Sequence, residues 1–375
     1  MGESLKSLTI AGFKSIEKLE SLELRKLNVL IGANGAGKSN FVDFFRMLRA
    51  MADEGLQKFV LEQGGGDGFF FMGPKHTRLM SACLEFGEYV YEFHLAPSSP
   101  SGLMVADEHI HRFGGSRQKG GSTYSMSKGA RESVLKEGHD RESDKGRWFD
   151  LLGVDIYDSI SNWVVYHFHD TSMLAPMRRD QLVRDRQRLR PDASNVAAFL
   201  LHLRERHPET YGLIHDTVRM IAPFLDDFVL QPEEKGGREL VRLEWSQKNN
   251  DFPFQPNQLS DGTIRFICLA TALLQPDPPT TILIDEPELG LHPYAIALLA
   301  DLVQSAAERT QVILSTQSPA LLDRFSPEDV IVVSREQGKS TFRRLDPSAL
   351  REWLEEYSVG ELWQKNVVDG APVHE

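Results

Sequence analysis

An α/β fold, with a mixed sheet flanked by helices, is predicted by three separated motifs. Gly32-Ala33-Asn34-Gly35-Ala36-Gly37-Lys38-Ser39 follows a short apolar run. Leu259-Ser260-Asp261-Gly262 opens an apolar-periodic segment, and Thr281-Ile282-Leu283-Ile284 runs into Asp285-Glu286. A strand that feeds a glycine-rich loop and then a helix, and a second strand that ends on two acids, are elements of a sheet buried on both faces.

Taken in order, Asn28–Ile31 reads as a short buried strand, and Phe41, Phe44, Phe45 and Leu48 recur at helical spacing after the loop. The loop between them matches G-x-x-x-x-G-K-[ST] in the strand–loop–helix context that the pattern requires. Its glycines let the N–H groups of Asn34 to Ser39 close around phosphate oxygens at the positive end of the helix. Lys38 then reaches the β- and γ-phosphates, and Ser39 ligates magnesium. Leu79–Phe86 and Glu88–Leu95 flank Gly87 as a hairpin, with Tyr89, Tyr91, Phe93 and Leu95 alternating. These elements make residues 1–95 the first part of the α/β core, here called the head.

Residues 96–150 turn rich in Gly, Ser and charge, including Gly114-Gly115-Ser116-Arg117 and Lys119-Gly120-Gly121-Ser122, and are expected to be a flexible insertion. A helical arm is expected over 151–230, from Val196, Phe199, Leu200 and Leu203 and again from Ile214, Val218, Ile221 and Leu225. Residues 231–375 return to the head, with strands at Leu240–Trp245, Thr281–Ile284, Gln311–Ser315 and Val330–Val333, a helix from Pro293 to Ala307 and another near Pro347–Tyr357. Ser260 is an N-cap, and Ile264, Ile267, Ala270, Leu273 and Leu274 carry its helix as far as Pro276. Asp285 is the metal-side acid of its strand end, and Glu286 is placed to act as general base on an attacking water.

With these motifs together, the chain resembles the ATP-binding-cassette superfamily, so the fold expected is a P-loop ATP-binding-cassette head with an inserted helical arm. In that family the L-S-x-G signature of one subunit closes on the ATP held by the other. The resemblance therefore implies a head-to-tail homodimer around two ATP, with Ser260 and Gly262 touching the γ-phosphate in trans and Lys38, Ser39, Asp285 and Glu286 working in cis. The opening Leu8-Thr9-Ile10-Ala11-Gly12-Phe13-Lys14-Ser15-Ile16 is similar to the RecF and SMC branch rather than to a transporter subunit. Glu286-Pro287-Glu288, Leu291-His292-Pro293 and Ser315-Thr316-Gln317-Ser318-Pro319 are similar to the AAA ATPases related to the overcoming-lysogenization-defect family.

Two departures and one open assignment qualify the resemblance. Where many cassette ATPases carry a γ-phosphate histidine, this chain has Gln317, whose amide can donate to phosphate and accept from water but takes on no charge. It also fits a residue that merely holds the turn. The glutamine that completes the metal site in this superfamily has Gln63 as its candidate, just before Gly64-Gly65-Gly66, where it also reads as a solvent-exposed loop residue. The nuclease domain of the lysogenization relatives would not fit into Ser318–Glu375, so cutting of nucleic acid, if it belongs to the pathway, falls to a separate nuclease or effector protein.

The composition bounds these readings. The net charge of −12 over 375 residues argues against indiscriminate nucleic-acid binding. Arg178, Arg179, Arg184, Arg186, Arg188 and Arg190 against Asp180 and Asp185 form a local exception, read either as a contact for DNA phosphates or as a surface laced with ion pairs. No apolar run is long enough to span a membrane, and none is expected as a partner. Two cysteines, Cys83 and Cys268, give no disulfide framework and suit a reducing cytoplasm. His109 with His111, and His167 with His169, alternate as on a strand but have no recognised zinc spacing nearby. The function expected is an ATP-driven switch in DNA repair, genome maintenance or anti-phage defence. The alternatives are the ATPase subunit of a membrane transporter and an ATP-sensing scaffold with little turnover.

Overall fold

The computed structural model describes residues 2–99, 101–112, 122–140 and 156–370; Gly114-Gly115-Ser116-Arg117 and Lys119-Gly120-Gly121 lie outside the described residues. The chain forms two compact units interleaved in sequence. The first holds Met1–Trp163, Pro279–Thr281 and Ser326–Glu375, and the second holds Val164–Pro278 and Ile282–Phe325.

In the first unit, β1 (Leu5–Phe13), β2 (Ile16–Glu23), β4 (Met80–Phe86), β5 (Tyr89–Ser98), β6 (Gly102–Arg112) and β7 (Ser122–Ala130) make an antiparallel sheet in the order β2-β1-β4-β5-β6-β7. Alternation sets its register. Ala82, Leu84 and Phe86 of β4 are buried, and Tyr91, Phe93 and Leu95 of β5 join them. Onto these side chains packs α1 (Lys38–Ala52), whose Phe44 ring lies 5.4 Å from Phe13 and 6.5 Å from Phe93, centre to centre. Its Phe41 meets Phe342 at 5.3 Å on the strand β18 (Lys339–Arg344). That strand is the antiparallel neighbour of β17 (Val330–Glu336), and β17 runs parallel to β3 (Leu27–Ile31), whose five residues are all buried. The apolar side of α1 thus carries the phenylalanines at the helical spacing expected of them, while Asp43, Arg46 and Arg49 make ion pairs elsewhere on the helix.

The second unit sets β15 (Thr281–Asp285) between β16 (Gln311–Thr316) and β8 (Trp163–Tyr166). Four longer helices accompany them, Val196–Arg206, Pro208–Ile221, Asp261–Leu274 and Pro293–Arg309, with the short helix Pro319–Leu322. The Asp261–Leu274 helix packs against both Pro208–Ile221 and Pro293–Arg309. It is buried from Thr263 to Leu274, as an apolar sequence on every side requires. Two small sheets complete this unit, β10-β13-β14 (Leu225–Val229, Glu244–Gln247, Asn250–Phe254) and β11-β12-β9 (Glu233–Lys235, Arg238–Val241, Gln181–Leu182).

Four local expectations change. Gly102–Arg112 and Ser122–Ala130, within a stretch expected to be a flexible insertion, form β6 and β7. Here cross-strand pairing overrides the Gly/Ser-rich composition. Leu240–Trp245 is not one strand: a turn in which the Glu244 N–H donates to the Arg242 carbonyl sends its halves into different sheets. Leu225 does not extend the helical spacing of Ile214 and Val218. The helix stops at Ile221 because Ala222 precedes Pro223, and Leu225 opens β10. The segment near Pro347–Tyr357 keeps only the helical turn Arg351–Leu354. A further helix, Val359–Gln364, starts at a capping box between Ser358 and Glu361. Burial pushes the Cys268 thiol up to about 12 and, together with Glu92 and Glu85, the Cys83 thiol up to about 11, so neither is a ready nucleophile. Among the described residues no helix is long and apolar enough to cross a membrane.

Candidate functional site

The phosphate loop belongs to the first unit. It leaves β3 at Gly32 and enters α1 at Lys38, with Gly35 at φ +79° and Gly37 at φ +116°. A Cβ at Gly37 would sit 2.1 Å from Ser340 Oγ, so glycine is required there by both backbone and space. Gly37 also brings no capping side chain to α1. The first N–H groups of the helix are thus left for an anion. Lys38 is buried, and its Nζ donates to the carbonyls of Gly32 at 2.6 Å and Ala33 at 3.2 Å. Asn34, Gly35 and Ser39 are exposed, which leaves the Ser39 hydroxyl accessible on the first turn.

Four side chains whose support the sequence reading missed hold this loop from behind. Ser340 Oγ on β18 lies 2.6 Å from the Ala36 carbonyl and 2.7 Å from Ser15 Oγ, and Asn40 Nδ2 donates to Ser15 Oγ at 2.6 Å. Arg335 donates to the Gly35 carbonyl at 2.9 Å. Gln63, the expected metal-side glutamine, is exposed at the C-cap of the short helix Leu56–Glu62.

The acidic motif and the signature belong to the second unit. Ser315 Oγ donates to Asp285 Oδ1, and His169 Nε2 lies 2.8 Å from the Asp285 carbonyl, so that nitrogen carries the proton. Glu286 sits at φ +45°, an uncommon backbone for a residue with a Cβ. Its N–H donates to the Ser315 carbonyl at 2.9 Å, and its Oε1 accepts from the Gln317 amide. The structure thus joins Glu286 to Gln317 directly. Two residues on, Glu288 is buried. Its Oε1 accepts from Thr316 Oγ1 at 2.6 Å and from the Gln317 N–H at 3.0 Å. Burial pushes its carboxyl above the usual carboxylate range.

Ser260 is the N-cap expected of it, accepting from the Thr263 N–H at 3.1 Å while its side chain stays exposed. Gly262 comes so close to the loop after Glu286 that a Cβ would lie 2.5 Å from the Gly290 carbonyl. Arg265 ties the same helix to that loop by donating to the Leu289 carbonyl, and to the preceding histidine segment at Phe168 O, 3.0 Å away. His167 and His169, expected on a strand, follow β8 instead and stack with ring centres 4.3 Å apart.

The arginine cluster resolves into separate duties. Arg178 is buried and donates to the carbonyls of Thr171, Pro256 and Leu259 and to Asp261 Oδ1 at 2.9 Å, which fixes the approach to the signature. Arg186 pairs with Glu205 at 2.8 Å and Arg190 with Asp185 at 2.5 Å, while Arg179, Arg184 and Arg188 are exposed. The burial of Arg178 carried no local signal, because all its partners but Thr171 lie across a long span of sequence.

The glycine-clamped loop on one helix start and the acid pair on a strand end are the parts of an SMC/RecF-like ATPase head of the ATP-binding-cassette type. The chain belongs to the family described as "AAA domain, putative AbiEii toxin, Type IV TA system", whose model matches residues 27–92 and 137–323, more than half of the chain. Solved SMC heads share the fold. An SmcHead bound to the C-winged helix domain of ScpA is 17% identical with a TM-score of 0.55, covering 93% of this chain and 99% of that one. An Smc head with an extended coiled coil, bound to the C-terminal domain of ScpA derived from Pyrococcus furiosus, is 16% identical with a TM-score of 0.52, covering 94% and 99%. No curated protein matches the chain.

Proposed function

We propose that this chain is a magnesium-dependent ATPase that works as a head-to-tail dimeric switch around two ATP. The observation that carries the reading is the Glu286–Gln317 pair beside Asp285, in a chain whose phosphate loop is also intact. The Glu286 carboxylate has one oxygen held by an amide that fixes its direction without neutralising it. Its other oxygen can take a proton from water. Lys38 and the first N–H groups of α1 suit the ATP phosphates, and Ser39 and Asp285 are the residues that would hold magnesium, with Gln63 as the third candidate ligand. The ion supplies charge neutralisation at the β- and γ-phosphates when bound. The cassette resemblance assigns Ser260 and Gly262 to the ATP of a second copy.

The cellular role in this reading is DNA repair, genome maintenance or anti-phage defence, in the cytoplasm and with a separate nuclease or effector protein. The family description, which names a toxin and a toxin–antitoxin system, supports the defence branch. The matched SMC heads, bound to ScpA domains, support a protein partner. The engagement of Glu286 by Gln317 also favours a second reading, an ATP-sensing scaffold with little turnover.

Purified protein assayed for phosphate release with and without double-stranded DNA, beside Lys38→Ala, separates the two. Turnover that is lost in Lys38→Ala supports the switch, and stimulation by DNA adds a nucleic-acid partner. Tight ATP binding with background turnover under both conditions supports the scaffold.

A further inference from the structure

Glu288 is costly where it stands. The residue is 8% exposed, and its Oε2 has no hydrogen-bond partner among the described residues. A buried carboxyl with one oxygen unmatched is unfavourable by comparison with an apolar side chain of the same size. What Glu288 does make is specific. Its Oε1 accepts the main-chain N–H of Gln317 at 3.0 Å, and Thr316 Oγ1 donates to the same oxygen at 2.6 Å. Thr316 Oγ1 in turn accepts the Ser318 N–H at 3.0 Å. The other end of Gln317 is held by Glu286, which accepts its side-chain amide. The two acids of Glu286-Pro287-Glu288 therefore grip one glutamine at two points, main chain and side chain. The loop that carries both acids is closed by Leu291 N–H donating to the Glu288 carbonyl at 3.0 Å.

We infer that Glu288 is a positioning residue for the hydrolytic reaction: by fixing the main chain of Gln317, it keeps the Gln317 amide on Glu286 and so sets the direction of the general base. The inference rests on the ATPase reading above. It adds a residue that acts through Gln317 rather than on ATP. Glu288 itself touches no reacting atom. Its effect belongs in kcat and not in nucleotide affinity, because the Lys38 loop is held by other side chains.

The test is a double-mutant cycle on the full-length protein, begun only when wild-type turnover is shown to be lost in Lys38→Ala. Without that turnover it is the ATPase reading that fails. Glu288→Met fills the same space without an acceptor, and Glu288→Ala is the second removal variant should that one not fold. The expected result is a kcat lower by roughly tenfold to a hundredfold, the scale of a misplaced catalytic group, with KM for ATP within about twofold of wild type. In a Gln317→Ala background the same removal should change kcat by less than about twofold, since the relay is already cut. Glu288→Gln, whose amide oxygen can accept both bonds, should rescue kcat to within about threefold of wild type. Losses that multiply in the double variant would overturn the inference, as would a Glu288→Gln protein as slow as the removal variants.

Discussion

The phosphate loop and the acid loop are held in opposite ways. Around Gly32–Ser39 the chain relies on glycines and main-chain carbonyls, and the supporting groups are small, Ser15, Asn40 and Ser340, apart from Arg335 on the Gly35 carbonyl. Around Asp285–Gly290 it relies on hydroxyl, amide and guanidinium side chains, from Ser315, Thr316, Gln317 and Arg265, acting on three carboxylates and a main-chain carbonyl. A loop that must surround a polyanion needs N–H groups and no intruding Cβ. A loop that must aim a carboxylate needs partners that fix its direction. The first should therefore be sensitive to added volume, and the second to lost polarity.

The largest effect that tests this contrast is Gly37→Ala. At φ +116°, with a Cβ 2.1 Å from Ser340 Oγ, it should cost about 3 kcal/mol in the loop conformation and remove ATP binding. Equilibrium binding of a fluorescent ATP analogue and a urea melt would show it, and a variant that binds normally would break the comparison. Gly262→Ala comes next. Its Cβ would meet the Gly290 carbonyl at 2.5 Å, so a loss of about 1–3 kcal/mol in unfolding free energy is expected. Here the acid loop shares the volume sensitivity of the phosphate loop at one point, which confines the contrast to its other positions.

Ser340→Ala removes hydrogen bonds to Ala36 and Ser15 and should cost about 1 kcal/mol, read as a weaker ATP affinity with kcat kept. The smallest effect is a pH dependence. Burial raises the Glu288 carboxyl above its unfolded value, so the neutral form is the one favoured by folding. The stability it contributes is full below the unfolded value of about 4.3 and is lost as pH rises through the folded one. Thermal melts without nucleotide, compared between wild type and Glu288→Gln, should show a smaller decline with rising pH in the variant. Parallel curves would contradict the burial argument.

The contrast also explains what could be read in advance. The phosphate loop, the N-cap at Ser260 and the strand that ends at Asp285 are local: spacing and residue type determine them, and the structure places each on the expected element. Their supports are not local. Ser340 reaches Ala36 from the far end of the chain, and Arg178 reaches Asp261 across a distant stretch, so no window of sequence contains either pair. Glu288 lay in plain view inside Glu286-Pro287-Glu288. Its role was hidden because only burial distinguishes an acid that grips Gln317 from one at a solvated turn. The strands β6 and β7 escaped for a different reason. Their glycine- and serine-rich flanks masked a pairing that depends on β5 as a template.

The central claim, that ATP brings two copies together before Glu286 acts, is tested most directly by the molar mass of Glu286→Gln in solution. Measured by light scattering with magnesium and either ATP or ADP, the variant should show twice the monomer mass with ATP alone. A mass that is the same with both nucleotides, in protein shown to bind ATP, would contradict the account.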